Sequence, residues 1–363
     1  MRPEKGRTVK RTLVFLGLCV VMGSGLTGCR NLLKKRYDAG AGPVATTTTT
    51  VATTTATTSS TLAPVSSAAA EAAAKKAYAT HKAGCDGVPA DFFQCVNVGF
   101  DYQKGLGVPQ DYSMAADYYK KACDSKSRDG AEGCADLGWL YEMGNGVTED
   151  KPRAAKLYKQ ACDLGAKLGC NNLGVMYRDG SGGLPKDNAK SVSLFDQACK
   201  MNDVQACANL GYMYSKGLGV PKDPAKAISL YEFACDHNDP YGCHNLGYRY
   251  QEGDGVPKNT KKAATLYRKG CDTGQMDSCV NLGGLYEYGD GVSLDYDEAE
   301  TLYKKACDGD QAHGCQYVGT MYKEGRGVSI TKDKTTASVY YKKGCDLGDT
   351  KSCTELALLR KSP

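Results

Sequence analysis

Residues 207–243 read CANLGYMYSKGLGVPKDPAKAISLYEFACDHNDPYGC. Leu210, Gly211 and Tyr214 fall at i, i+1 and i+4, and Ala227, Leu230, Tyr231 and Ala234 at i, i+3, i+4 and i+7. Each set makes one buried stripe on a helix. Gly217 and Gly219 separate them, where a helix needs a left-handed stop. The stretch therefore predicts two antiparallel helices joined by a short turn. Gly211, beside the leucine, leaves room for the helices to approach closely.

The same pattern recurs along most of the chain. The tyrosine equivalent to Tyr214 returns at Tyr102, Tyr141, Tyr177, Tyr250, Tyr286 and Tyr322, and successive cysteine pairs recur every 36 to 39 residues. A helical hairpin with one face that it cannot bury alone stacks on its neighbours, which gives an all-α solenoid. Seven full repeats run from Cys95 to Cys345, with a half-repeat helix before them (Ala70 to Gly84) and a capping helix after (Cys353 to Arg360).

Sixteen of the 18 cysteines lie in the array, as Cys85/Cys95, Cys123/Cys134, Cys162/Cys170, Cys199/Cys207, Cys235/Cys243, Cys271/Cys279, Cys307/Cys315 and Cys345/Cys353. Antiparallel hairpins bring two alternative partners to the same end of the stack. Joining across the short gap pairs all sixteen, whereas joining Cys95 to Cys123 and onward strands Cys85 and Cys353. An exported chain meets an oxidising compartment, so the short-gap disulfides are expected. A zinc cluster of Cys235, His237, Cys243 and His244 is the competing reading, but no other repeat places histidine there. Neither metal nor cofactor is expected.

The repeats resemble Sel1-like repeats, and the seven-residue spacing within the last six cysteine pairs is similar to the Helicobacter cysteine-rich protein family. The resemblance covers about residues 72–363 and implies a right-handed α/α solenoid. Its departures are the longer gaps in the first two cysteine pairs and a lengthened turn around Thr331 and Lys332.

The N-terminus reads as an export signal. Arg2 to Arg11 is basic, Leu13 to Met22 is apolar, and Leu26-Thr27-Gly28-Cys29 resembles a bacterial lipobox. The expected division is a lipoprotein signal peptide at 1–28, a lipidated Cys29 with a tether over 29–70, and the solenoid at 71–363. Two or three acyl chains at ~0.8 kcal/mol per buried CH₂ anchor a protein durably. Arg30 follows the cysteine, and the resemblance implies an outer-membrane destination where the host has one. Ala39 to Ala70 carries no charge, and 11 of the 16 residues from Thr46 to Thr61 are threonine, so this segment cannot build a core. As a coil it reaches about 35 Å.

Composition narrows function by exclusion. With 41 % hydrophobic and 24 % charged residues the chain is not collagenous, polytopic or wholly disordered. The formal charge of +5 falls to +1 (41 − 40) once the first 28 residues, with five bases and one acid, are removed. Nucleic acid is therefore not an expected partner. The cysteine-rich family implies penicillin binding or weak β-lactamase activity. The chain offers one Ser-x-x-Lys, at Ser329 to Lys332 in a turn, without Lys-Thr-Gly or Ser-Asp-Asn, and no catalytic residue is assigned.

In solenoids the first helices line the inner surface where partners bind. Counting from the second cysteine of each pair, position five reads Phe100, Trp139, Val175, Tyr212, Tyr248, Gly284 and Thr320. Positions one, five and eight are taken as flanking the buried stripe. Phe100, Trp139, Tyr212, His244, Tyr248 and Arg249 are the candidate partner-binding residues, suited to an extended peptide or glycan strand; the alternative is that position five packs on the next repeat. The asparagines at position two (Asn97, Asn172, Asn209, Asn245, Asn281) either clamp a peptide or bond their own inter-helix turn. The expected protein is a lipid-anchored envelope scaffold.

Overall fold

A computed structural model describes residues 67–327 and 331–361. The signal, Cys29, Arg30, nearly all of the tether, and Ser329 lie outside the described residues. Within them the chain forms sixteen helices and no strand. The first helices are α2 (Phe92–Lys104), α4 (Ala131–Met143), α6 (Lys167–Asp179), α8 (Val204–Lys216), α10 (Pro240–Glu252), α12 (Met276–Tyr288) and α14 (Ala312–Glu324). Their partners are α3 (Tyr112–Asp124), α5 (Lys151–Asp163), α7 (Asn188–Lys200), α9 (Pro224–Asp236), α11 (Thr260–Asp272), α13 (Tyr296–Asp308) and α15 (Lys334–Asp346). Helix α1 (Ser67–Asp86) precedes the array and α16 (Thr350–Lys361) closes it.

Helix ends follow from short polar residues and glycine. Asp111, Asp150, Asp187, Asp223, Asn259, Asp295 and Asp333 cap the second helices by accepting a first-turn backbone N–H. Each full first helix ends on a left-handed glycine such as Gly217, at φ +68°. The second glycine of the turn has a different task. A Cβ on Gly219 would stand 2.4 Å from the Asn188 carbonyl carbon, so this turn lies directly on the start of the preceding repeat's α7.

Each helix packs on the one before and the one after, forming a right-handed α/α solenoid. First helices of neighbouring repeats approach each other more closely than second helices do, so the first-helix row is the inner side. The core inside each hairpin is a ring against a glycine. Tyr231 is wholly buried, and a Cβ on Gly211 would come 2.9 Å from its ring. Tyr119, Tyr158, Phe195, Tyr267, Tyr303 and Tyr341 occupy the same place in the other repeats.

This corrects the expected stripe. Tyr214 and its equivalents are only half-buried, and in six of the seven repeats they lie under a cation. In four it comes from their own second helix, as Lys226 lies over Tyr214 at 4.1 Å, and in two from the preceding repeat's second helix, Arg268 over Tyr286 and Lys304 over Tyr322. In the first repeat Tyr102 instead stacks on Tyr118 and bonds Tyr78 of α1 at 2.9 Å.

Eight disulfides join the end of one helical hairpin to the start of the next: Cys85–Cys95, Cys123–Cys134, Cys162–Cys170, Cys199–Cys207, Cys235–Cys243, Cys271–Cys279, Cys307–Cys315 and Cys345–Cys353. Their Cα atoms lie 4.5–4.7 Å apart. No helix among the described residues is long and apolar enough to cross a membrane.

Candidate functional site

A groove of about 780 Å³ lies on the first-helix face and crosses α6, α8 and α10. Gln205, Asn209 and Tyr212 of α8 line it together with Tyr241, His244 and Asn245 of α10. Its charged residues cancel. Arg178 grips Asp179 through two hydrogen bonds of 2.7 and 2.9 Å, and Lys186 and Asp277 stand at its edges. What the groove offers is neutral and polar: planar amides with donors and acceptors to spare, and two partly exposed phenols.

Some of these groups are already half-committed. Asn209 donates to Asn171 of the preceding repeat at 3.0 Å, and Asn245 donates to the Tyr241 carbonyl one turn back at 2.9 Å. These asparagines therefore bond within the first-helix row rather than to their own inter-helix turn. His244 Nδ1 lies 3.1 Å from the Ser278 hydroxyl of the next repeat. Burial holds the His244 pKa below its ordinary value, partly opposed by the Asp277 charge, so the ring is neutral near pH 7. The Asn188 side-chain oxygen is buried at the groove without a partner.

The candidate residues divide. Tyr212 and His244 meet in the groove, and Tyr248 is exposed on the same face at 45 %. Phe100 and Trp139 are half-buried; Trp139 packs on the cluster of Leu137, Leu140 and Tyr119. Arg249 is a correction. It is 5 % exposed, its guanidinium bonds Asp254, and it occupies a core position that holds Leu140, Met176, Met213, Leu285 or Met321 in other repeats. It offers nothing to a partner.

The choice of stripe is corrected as well. Position one is mainly buried (Val96, Ala135, Asn171, Ala208, Gln316), and position eight bonds the buried ring of its own hairpin in five of the seven repeats, as Gln251 accepts from the Tyr267 hydroxyl at 2.8 Å. Position five instead shares a face with the residue two before the cysteine, position two and position nine. On α10 these are Tyr241, Asn245, Tyr248 and Glu252, at i, i+4, i+7 and i+11. Tyr241 and Gln205 belong to this stripe and were not among the expected residues. The helical spacing alone contains the signal that finds them. His237, from the metal reading, lies tilted against Phe233 with ring centres 4.3 Å apart, and Cys235 and Cys243 are spent on a disulfide.

The Sel1 repeat family matches residues 95–127, 131–165, 167–203, 204–239, 240–274, 277–310 and 312–349, more than half of the chain. The chain belongs to the Sel1 repeat family. Among solved structures it is similar to a Sel1 repeat protein from Oxalobacter formigenes, at 29 % identity over 69 % of this chain and 99 % of that one, with a TM-score of 0.62. It is also similar to a protective antigen of uropathogenic Escherichia coli with an SLR fold, at 26 % identity over 80 % of this chain, with a TM-score of 0.58. The chain spans 65 % of that antigen's length. A third likeness is to Helicobacter pylori cysteine rich protein B, at 35 % identity over 36 % of this chain and 93 % of that one, with a TM-score of 0.30. No curated protein matches in sequence. A Sel1 repeat array of this kind is a scaffold suited to protein–protein interaction, since its stacked first helices form one continuous surface.

Proposed function

We propose that this Sel1 repeat chain is a lipid-anchored scaffold of the cell envelope, held through Cys29 at the outer membrane, whose first-helix face docks an extended peptide or glycan of another envelope component. The observation that carries the docking reading is the groove across three consecutive first helices, with Tyr212 and Tyr241 exposed beside amide groups that are only partly hydrogen-bonded. Exposed aromatics next to planar amides are suited to extended polar ligands, the rings supplying contact area and the amides orientation. The anchor is supported by the Leu26 to Cys29 motif, and the threonine-rich tether lets the array work at a distance from the bilayer. The β-lactam alternative rests on resemblance alone, and its one motif begins at Ser329, outside the described residues.

Two measurements test this. Radiolabelled palmitate incorporation and membrane fractionation should both be lost in Cys29→Ser. Crosslinked capture from envelope extract should then compare the wild-type chain with Tyr212→Ala/Tyr241→Ala/Tyr248→Ala. These side chains are exposed, so the variant should keep its circular dichroism spectrum while losing its partner. Equal capture by a folded variant would refute the assigned face.

A further inference from the structure

A second hollow of about 350 Å³ lies farther along the first-helix row, between α10, α12 and α14, within the usual size of ligand pockets (about 300–1,000 Å³). Its floor is Gly284, at position five of α12. That glycine is not required by packing. Gly283, its neighbour, could not carry a Cβ, because one would stand 2.6 Å from the Tyr303 ring. At Gly284 a Cβ would meet only the Tyr303 hydroxyl at 3.7 Å, an ordinary contact, and its backbone is helical. Glycine inside a helix is less stable than alanine, so this residue keeps space open at a cost the fold does not require.

The walls depart from the repeat pattern at the positions that face this space. Position two is asparagine in most first helices and Tyr317 here. Position nine is Lys104, Met143, Asp179, Lys216, Glu252 or Glu324 elsewhere and Tyr288 here, 72 % exposed. Tyr317 stacks on Tyr303 with ring centres 4.9 Å apart. Three phenol rings thus surround a gap in which other repeats place a side chain.

The charge around it is acidic. Asp290 lines the hollow, and its carboxylate is bound by no described residue. Glu287 lies behind it, 6 % exposed, accepting from the Tyr303 hydroxyl at 2.8 Å and from Arg326 at 2.7 Å. Arg326 also holds Glu324 at 2.6 Å and bonds the Tyr288 hydroxyl, so this cation is committed to two carboxylates and one phenol and leaves Asp290 unanswered. Electron-rich ring faces beside an excess of negative charge favour a cation over a neutral or anionic group.

The geometry points to a specificity pocket: the Gly284 hollow receives an arginine or lysine side chain of the polypeptide that docks on the first-helix face. This rests on the docking reading above and adds the charge of the ligand. A neutral groove at α6–α10 followed by an acidic aromatic pocket at α12 selects an extended segment with a basic residue toward one end.

The test is fluorescence anisotropy with the full oxidised chain and labelled pentapeptides of alanine whose central residue is arginine, citrulline or glutamate. The arginine peptide should bind, the citrulline analogue about tenfold more weakly, and the glutamate analogue not at all. Gly284→Leu, which fills the hollow, and Asp290→Asn, which removes its free charge, should each weaken the arginine peptide by about tenfold without lowering the thermal midpoint. Equal binding of arginine and citrulline peptides, indifference to Gly284→Leu, or no binding by any peptide would each overturn the inference. A partner captured through Tyr212 and Tyr241 but indifferent to Gly284→Leu would leave the docking face standing and remove only the pocket.

Discussion

The tyrosine hydroxyl at the centre of six of the seven hairpins has to be bonded, because a buried polar group without a partner costs more than the bond contributes. Five of these hydroxyls find a side chain sixteen residues earlier: Tyr119 to Gln103, Tyr158 to Glu142, Tyr231 to Ser215, Tyr267 to Gln251 and Tyr303 to Glu287. Tyr341 uses Thr320 at 3.0 Å. Burial, reinforced by the adjacent carboxylate, pushes the Tyr158 and Tyr303 pKa values far above the ordinary phenol range, so both remain donors at any physiological pH. The third repeat breaks both halves of the rule together. Phe195 has no hydroxyl, and Arg178, at the acceptor position, pairs with Asp179 instead. Phe195→Tyr should therefore lower unfolding free energy by about 1–3 kcal/mol in urea titrations. Adding Arg178→Gln should restore most of that loss by supplying an acceptor; no restoration would separate the two positions.

At the scale of the element, the hairpin depends on how closely its two helices approach. Gly211→Ala places a methyl group against the Tyr231 ring at 2.9 Å and should cost about 1–3 kcal/mol by overpacking. Gly284→Ala, one position along the repeat in α12, meets nothing closer than 3.7 Å and should add about 0.5–1 kcal/mol through helix propensity alone. Opposite signs for two Gly→Ala changes at adjacent repeat positions, read as shifts in thermal midpoint, would distinguish a glycine that packing demands from one that leaves a space. Destabilisation by both would show that the hollow at Gly284 is closed in solution.

At the scale of the molecule, a stack held only by neighbour contacts can open anywhere along its length. The disulfides lie at the places where it would part, since each spans the junction between hairpins. By loop-entropy reasoning each loop of this size contributes about 2.5 kcal/mol. Cys235→Ala/Cys243→Ala should raise hydrogen exchange in α9 and α10 while α2 and α14 keep their protection, and Cys345→Ala/Cys353→Ala should fray α16 alone. Loss of protection along the whole array in the central variant would mean that the solenoid opens as one unit rather than repeat by repeat.

Much of this molecule is written in its sequence. The 36-residue period, the glycine turns and the paired cysteines determine that the chain makes hairpins, that the hairpins stack, and where they are cross-linked, because each of these is a local or nearest-neighbour property repeated seven times. The phase of the first helix was not legible in the same way. Positions one and two are separated by about 100° of helix rotation, and both carry polar residues, so spacing leaves either free to face a partner. Packing against the neighbouring helices makes the choice, burying Gln316, turning His244 partly inward toward Tyr267 and Ser278, and bringing Tyr241, Asn245 and Tyr248 to the surface. Arg249 shows the same limit: a charged residue beside an exposed tyrosine reads as surface until Asp254 folds back to meet it. The sequence alone determined the fold and its staples. Which side chains a ligand would meet was decided only by tertiary structure, because it depends on how one repeat is rotated against the next.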